Sequence, residues 1–226
     1  MTPTSTRFRK IPLIHKKILS WFRTNGREFP WRKTTNPYRV LVAEKLLQQT
    51  RAGSNVIKAY TGLINNFPTA NELSRADLRI LRKYIRPLGL IYRAIELKKL
   101  GGQLTKAHNA IVPRQFEALK RLPGVGEYVA RSVLVFAFNK RTAIVDTNIA
   151  RFVYRLVGIT GKLPPNPARS KKILSYAEKL LPQKRYREFN FALLDLCAKV
   201  CKPKTPLCEI CPVRSDCSYG QKAKYN

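Results

Sequence analysis

Apolar residues recur at three- and four-residue intervals along most of this chain, the spacing that turns one side of an α-helix toward a core. Ile14, Ile18 and either Trp21 or Phe22 share such a face and predict an amphipathic helix from Ile14 to Phe22. The next segment, REFPWRKTTNPYR, breaks the pattern with Pro30 and Pro37 and reads as a loop. Tyr38 to Thr50, YRVLVAEKLLQQT, is largely apolar and predicts a further helix. The same periodicity predicts helices over 53–66, 76–85, 90–104, 114–121, 127–138, 147–157, 168–181 and 187–199. The run AIV at 143–145 has strand character but is too short and isolated to build a sheet. No internal repeat or low-complexity linker interrupts the pattern, and ITGKLPPNPARS reads as a surface crossing. The predicted fold class is all-α.

Composition narrows the partner more than the fold. The chain has 226 residues, 44% of them apolar, enough for a buried core in one domain or two small ones. Lys and Arg total 44 against 13 Asp and Glu, a formal net charge of +31. Such self-repulsion destabilises a compact chain unless an anion is close by. Nucleic acid is the expected partner, with a ribosomal or membrane surface as the alternative. No apolar run reaches the roughly 18 residues that a membrane-spanning helix needs. The N-terminus, MTPTSTRFRKIPLIHKK, carries no apolar stretch of signal-peptide length, although a basic transit segment stays open. The cytoplasm, with the chain at the nucleoid, is the expected location.

Two motifs carry chemistry. CKPKTPLCEICPVRSDC places Cys201, Cys208, Cys211 and Cys217 in one short C-x6-C-x2-C-x5-C segment. Four thiolates from one loop can close around a cubane iron–sulfur cluster or a single zinc ion. Pro203, Pro206 and Pro212 predict turns there and argue against a helix. Disulfides would need an oxidising compartment, for which the sequence has no signal. Cys197 precedes the loop within an apolar helical pattern and reads as a buried helix residue. The second motif, Leu122-Pro123-Gly124-Val125-Gly126, sets two glycines in a tight turn between helices. Such a turn presents amide N–H groups at a helix start, an anion site suited to a DNA phosphate. It also suits an ordinary helix–helix turn.

Asp146 stands just before the amphipathic run Ile149, Phe152, Val153, Leu156, where it can serve simply as an N-cap. Glu44 lies in the apolar stretch VLVAEKLLQQ, either buried or solvated beside Lys45. Burial would raise its pKa and suit it to proton transfer. Leu90, after Gly89, is an apolar side chain on a turn that either wedges between base steps or starts a packed helix. His15 and His108 have no ligand-like spacing and read as surface residues, while Arg51, Arg93 and Arg131 fall near the proposed groove motifs.

In this order, the LPGVG hairpin, the aspartate of IVDTNIARF and the four-cysteine loop resemble the signatures of the helix-hairpin-helix DNA glycosylases, the endonuclease III and adenine-glycosylase superfamily. WRKTTNPYRVLVAEKLLQQT is similar to an early helix of the same superfamily, and the likeness runs from about Trp21 to Tyr219. The resemblance implies a 4Fe-4S cluster on the four cysteines and a substrate base flipped out of duplex DNA. It makes Asp146 the catalytic carboxylate that stabilises positive charge on the deoxyribose and can orient the attacking water. It places Glu44 in the base pocket, and Gln48 and Gln49 in the gap left by the flipped nucleotide. Where bifunctional relatives carry a Schiff-base lysine after LPGVG, this chain has Tyr128. A phenol cannot form that imine, and tyrosine there resembles the glycosylases that remove thymine from G·T mismatches. A core tyrosine, and a displaced lysine at Lys120 or Lys140, stay open.

The expected architecture is two helical lobes with a DNA groove between them. Residues 30–140 form a six-helix barrel domain with the helix-hairpin-helix, and 1–29 plus 141–226 form the cluster domain. The expected DNA-contacting set is Gln48, Gln49, Leu90, Leu122, Gly124, Val125 and Gly126. The expected activity is monofunctional hydrolysis of thymine, and uracil, opposite guanine in double-stranded DNA, by a monomer. Alternatives are an adenine glycosylase, a glycosylase with lyase activity, and a catalytically idle damage sensor. The chain stops soon after the cysteine loop, so an extra C-terminal domain for reading oxidised guanine is not expected.

Overall fold

The computed structural model describes residues 10–223, which contain helices and turns and no β-strand. Residues 1–9, most of the stretch read above as a possible transit segment, lie outside the described residues, as do 224–226. The chain divides into two compact units, Glu28–Lys140 and Met1–Arg27 with Arg141–Asn226.

The first unit is built around one helix. After α1 (Ile11–Asn25), which belongs to the second unit, α2 (Pro37–Leu47) starts where Pro37 fits the first turn. The Asn36 side chain accepts from the Arg39 amide at 3.1 Å and caps it. Every residue of α2 from Val40 to Leu46 is buried, so the helix runs through the core and not along its surface. Packed against it are α3 (Ser54–Asn66), α6 (Arg93–His108) and α8 (Glu127–Phe136). This burial takes Glu44 and Lys45 inside with their apolar neighbours.

The helix expected over 76–85 is α5 (Leu78–Ile85), and a short α4 (Ala70–Arg75), not expected from the pattern, precedes it. Local capping separates them. Thr69 and Glu72 form a reciprocal capping box that starts α4, and Asp77 accepts from the Arg79 amide at 2.7 Å to start α5. The helix expected from residue 90 begins only at Arg93, because Gly89 (φ 72°) and Leu90 (φ 53°) make a left-handed turn. A short α7 (Phe116–Lys120) and then α8 complete the unit.

In the second unit α11 (Tyr186–Lys199) is the buried helix, packed by α1 and by α9 (Thr147–Val157), with α10 (Lys171–Leu180) against α9. Asp195, fully inside, accepts from the Arg27 backbone amide and Nε, each at 2.7 Å, and ties the end of α1 to α11. His15, expected at the surface, is half-buried. Its Nε2 is 2.7 Å from the Leu180 carbonyl, its ring packs edge-on to Phe189, and burial lowers its pKa. The strand-like run at 143–145 is buried without a sheet. Glu178 accepts from the Ala143 amide at 2.8 Å and Asn190 from the Ile144 amide at 3.3 Å, which satisfies backbone that a neighbouring strand would otherwise serve. The cysteine loop is irregular through Pro212, as its prolines predict. A single 3-10 turn (Arg214–Asp216) follows that proline within the loop, and α12 (Ser218–Lys222) starts only past the last cysteine, as the turn-rich reading of the loop expects.

Candidate active site

The LPGVG hairpin joins α7 to α8. Leu122 and Val125 turn their side chains into the core, so at these two positions only the backbone is available to DNA. Gly124 and Gly126 are exposed. Gly124 has φ 66°, a left-handed conformation that favours glycine, and a Cβ there would run into Lys45 and Glu96. Its carbonyl accepts from Lys45 Nζ and from Gln48 Nε2, both at 3.0 Å. Lys45 is 1% exposed and pairs with Glu96 at 2.7 Å. Burial lowers its pKa and the Glu96 carboxylate opposes that shift. A lysine that the sequence leaves as a candidate surface partner for Glu44 is thus a strut beneath the hairpin. The turn leads into the N-terminus of α8, where the helix dipole favours an anion.

Glu44 is the most perturbed acid of this unit. It is 5% exposed, and burial pushes its pKa from the usual carboxylate range to about 7. A neighbouring Ser132 hydroxyl and, more weakly, the Arg32 charge favour the ionised form and offset part of the shift. Neither Glu44 Oε2 nor Ser132 Oγ has a partner in normal hydrogen-bond geometry among the described residues. Tyr128, half-buried, is the second residue of α8, on the helix that packs against α2.

Gln48 and Gln49 lie just past the end of α2. Gln48 holds the hairpin as described, and Gln49 is exposed with φ 53°. A non-glycine residue kept in that region stores strain, a common feature of ligand-contacting turns. Arg93 clamps this turn from below. Its Nη1 donates to the Leu46 carbonyl at 3.1 Å and to Thr50 Oγ1 at 2.7 Å, and its Nη2 donates to the Gln48 carbonyl. Arg93 therefore lies beside the proposed groove motif, as its sequence position suggests, but buried beneath it as a support for the turn. Arg51 is exposed, and Arg131 packs over the Phe116 ring at 5.1 Å. Leu90 is 38% exposed, at the head of an outward-facing apolar group with Ile91 and Tyr92.

In the second unit Asp146 is an N-cap. Its Oδ1 accepts from the Ile149 amide at 2.7 Å and its Oδ2 from Asn148 Nδ2 at 3.0 Å. The polar chain continues, since Arg151 Nη1 donates to Asn148 Oδ1 at 2.9 Å and Nη2 to the Cys201 carbonyl at 2.7 Å. Asp146 and the cysteine loop are thus bridged by two side chains. Nothing in the sequence marks Asn148 and Arg151 for this task beyond their place on the exposed side of α9.

None of the five cysteines is in a disulfide. Cys201, Cys208, Cys211 and Cys217 line one small cavity of about 20 Å³, together with Phe152, Arg155 and Leu207. Burial raises the thiol pKa of Cys211 to about 12, and that of Cys217 also moves up. Donors are already aimed at the sulfurs: Arg155 Nη1 lies 3.4 Å from Cys201 Sγ, and the Gly220 amide lies 3.4 Å from Cys217 Sγ. Among the described residues, no three His, Cys, Asp or Glu side chains stand together closely enough to hold a lone metal ion. Cys197 is fully buried on α11, as its pattern predicts. Among the described residues, no helix is long and apolar enough to cross a membrane.

An all-helical fold, a glycine hairpin feeding a helix N-terminus, a buried acid beside that hairpin's helix and a capping aspartate define a DNA-repair glycosylase scaffold. Residues 42–183 match the HhH-GPD superfamily of base excision DNA repair proteins, and the chain belongs to that family. It is 36% identical over 210 residues to the thymine/uracil-DNA glycosylase of Pyrobaculum aerophilum, covering 91% of this chain and 90% of that one. It is 35% identical to the thymine/uracil-DNA glycosylase of Methanothermobacter thermautotrophicus, covering 95% and 96%. The structure of a thermostable thymine-DNA glycosylase superposes with a TM-score of 0.86 at 33% identity, covering 95% of this chain and 98% of that one.

Proposed function

We propose that this chain is a monofunctional DNA glycosylase that releases thymine, and uracil, mispaired with guanine in double-stranded DNA. The observation that carries the reading is end-to-end likeness to thymine/uracil-DNA glycosylases in a chain whose lyase position holds Tyr128. Phosphate contacts at the hairpin and the basic surface hold the duplex, and Leu90, Gln48 and Gln49 occupy the distorted stack. The flipped base enters beside Tyr128 and Glu44. With a pKa near 7, Glu44 is available in both protonation states at neutral pH and can give a proton to the departing base. Asp146 stabilises the cationic deoxyribose and orients water, whose oxygen bonds to C1′ as the C1′–N bond breaks. The products are a free base and an abasic site in an uncut strand.

The four-cysteine loop supports a 4Fe-4S cluster. Four cysteines from one short loop line a single small cavity, so their thiolates can close around one inorganic centre, and the resemblance of their spacing to the superfamily's cluster loop favours a cluster over a single zinc ion. Cys201, Cys208, Cys211 and Cys217 would hold the cluster, with Arg155 and the Gly220 amide offsetting thiolate charge. When bound, the cluster cross-links the loop and leaves the hydrolysis to the side chains above. The division at Glu28 and Lys140 supports a hairpin domain and a separate cluster domain.

A base-release assay tests the reading, with duplexes carrying G·T, G·U, adenine opposite 8-oxoguanine, or an oxidised pyrimidine. Release from G·T and G·U, with strand scission only after alkali, is expected. Release of adenine alone favours the adenine branch, and binding without release by wild type and Asp146→Asn alike leaves only a damage sensor. Affinity should fall steeply with salt, because each phosphate contact releases counterions.

A further inference from the structure

Ser132 sits one turn beyond Tyr128 on α8, so the two side chains share a helical face. That helix packs on α2, which carries Glu44. Ser132 is 0% exposed, in a stretch where Val129, Ala130, Val133 and Leu134 fill the core. Serines inside helices ordinarily return the hydroxyl to a carbonyl of the preceding turn. Ser132 does not: its hydroxyl lies beside the Glu44 carboxyl, and neither its Oγ nor Glu44 Oε2 has a partner in normal hydrogen-bond geometry among the described residues. Two such groups left unmatched in a core are costly, and natural proteins keep them chiefly where function completes them.

The charges around Glu44 do not supply that completion. Arg32, on the 3-10 turn Pro30–Arg32, acts on it only at a distance. On α6, Arg93 is committed to the turn after α2, and Glu96 to Lys45. On α8, Glu127 pairs with Lys120 at 2.9 Å and Arg131 lies over Phe116. On α3, Lys58 is exposed, and Tyr60 packs against Trp31. Ser132 is the neutral neighbour that faces the acid.

We propose that Ser132 positions the Glu44 carboxyl and, with it, forms a hydrogen-bonding pair that reads the polar edge of the flipped pyrimidine. The inference rests on the glycosylase reading above. A uracil or thymine edge alternates carbonyl, N3–H and carbonyl. A protonated carboxyl donates to a carbonyl while the hydroxyl accepts from N3–H, a pattern that cytosine, with an acceptor at N3, does not match. Ser132 is a specificity and positioning residue in this scheme and carries no bond-breaking step.

Ser132→Ala and Ser132→Cys, in the full-length protein, test the pair. The first removes the hydroxyl with little change in volume, and the second keeps the shape with a weak donor. Melting temperature and circular dichroism report whether each variant folds. Release from G·U should fall about tenfold in kcat/KM for Ser132→Ala, as for loss of one hydrogen bond to an ionisable partner. The limb of the pH–rate profile that reports Glu44 should move to higher pH, because a group that favours the carboxylate is gone. In a Glu44→Gln background the same substitution should move no limb. A ¹³C NMR titration of the Glu44 carboxyl, assigned by comparison with Glu44→Gln, should show the same upward shift without substrate. If folded Ser132→Ala leaves both the titration and the G·U rate at wild-type values, the inference is overturned. If wild type releases no base from any duplex, the glycosylase reading falls, and the titration alone decides the positioning role.

Discussion

Asp146 has one observed role, as a helix cap, and one proposed role, in catalysis, that one substitution can separate. As a cap it accepts from the Ile149 amide at 2.7 Å, and in the proposed reaction its carboxylate offers charge to the sugar. Asparagine caps a helix about as well as aspartate, whereas alanine costs about 1 kcal/mol. Asp146→Asn should therefore melt within a degree or so of wild type, and Asp146→Ala should melt about 2–4 °C lower in a chain of this size. Charge loss acts on the rate. Removing one preorganised electrostatic contact to a transition state costs about 100- to 1000-fold. Both variants should lose base release by at least that factor while binding a G·T duplex with near wild-type affinity. The assay is single-turnover base release beside a thermal melt and a binding titration at fixed salt. A folded Asp146→Asn that releases thymine at the wild-type rate would refute the assignment. A rate loss that tracks only the loss of melting temperature would reduce Asp146 to a cap.

Three further outcomes follow from the geometry. Glu44 has its pKa raised to about 7 in the fold, so it stabilises the native state at low pH, and that contribution is lost as pH rises through 7. Glu44→Gln should accordingly gain roughly 3 kcal/mol over wild type at pH 8 and almost nothing at pH 4, read by urea denaturation at the two pH values, while losing base release. Gly124→Ala forces an unfavourable φ and displaces Lys45 and Glu96, so DNA affinity should drop and stability should fall by about 1–3 kcal/mol, read by fluorescence anisotropy and melting; an unchanged anisotropy curve would separate the hairpin from phosphate binding. Cys211→Ser should lose visible absorbance and bound iron together and leave the loop open to protease, whereas one zinc per chain in wild-type protein would replace the cluster by a single-ion site.

The residues differ in how much they disclose in advance. Asp146 is legible because its two signals are local: a capping residue and the apolar run it introduces. The cysteine loop is legible because all four cysteines come from one short segment. The buried helix α2 is legible as apolar, yet the roles of its polar residues are not. Lys45 looks like a solvated partner for Glu44, but its real partners, Glu96 and Gly124, come from segments far along the chain. Ser132 is silent for the same reason, since its significance depends on a neighbour from another helix. Helix α4 escapes because six residues are too few for periodicity, and only the Thr69–Glu72 box marks it. The late start of α6 at Arg93 reflects the left-handed Leu90, a backbone state that leucine does not advertise.

The central claim is hydrolysis of a mispaired pyrimidine without strand cleavage. Its most direct test is product analysis by mass from a single turnover on a G·T duplex, in parallel with borohydride. The account predicts free thymine, an intact strand bearing an abasic site, and no protein–DNA adduct. Spontaneous strand scission with a borohydride-trapped adduct, or no thymine from a duplex the protein demonstrably binds, would contradict it.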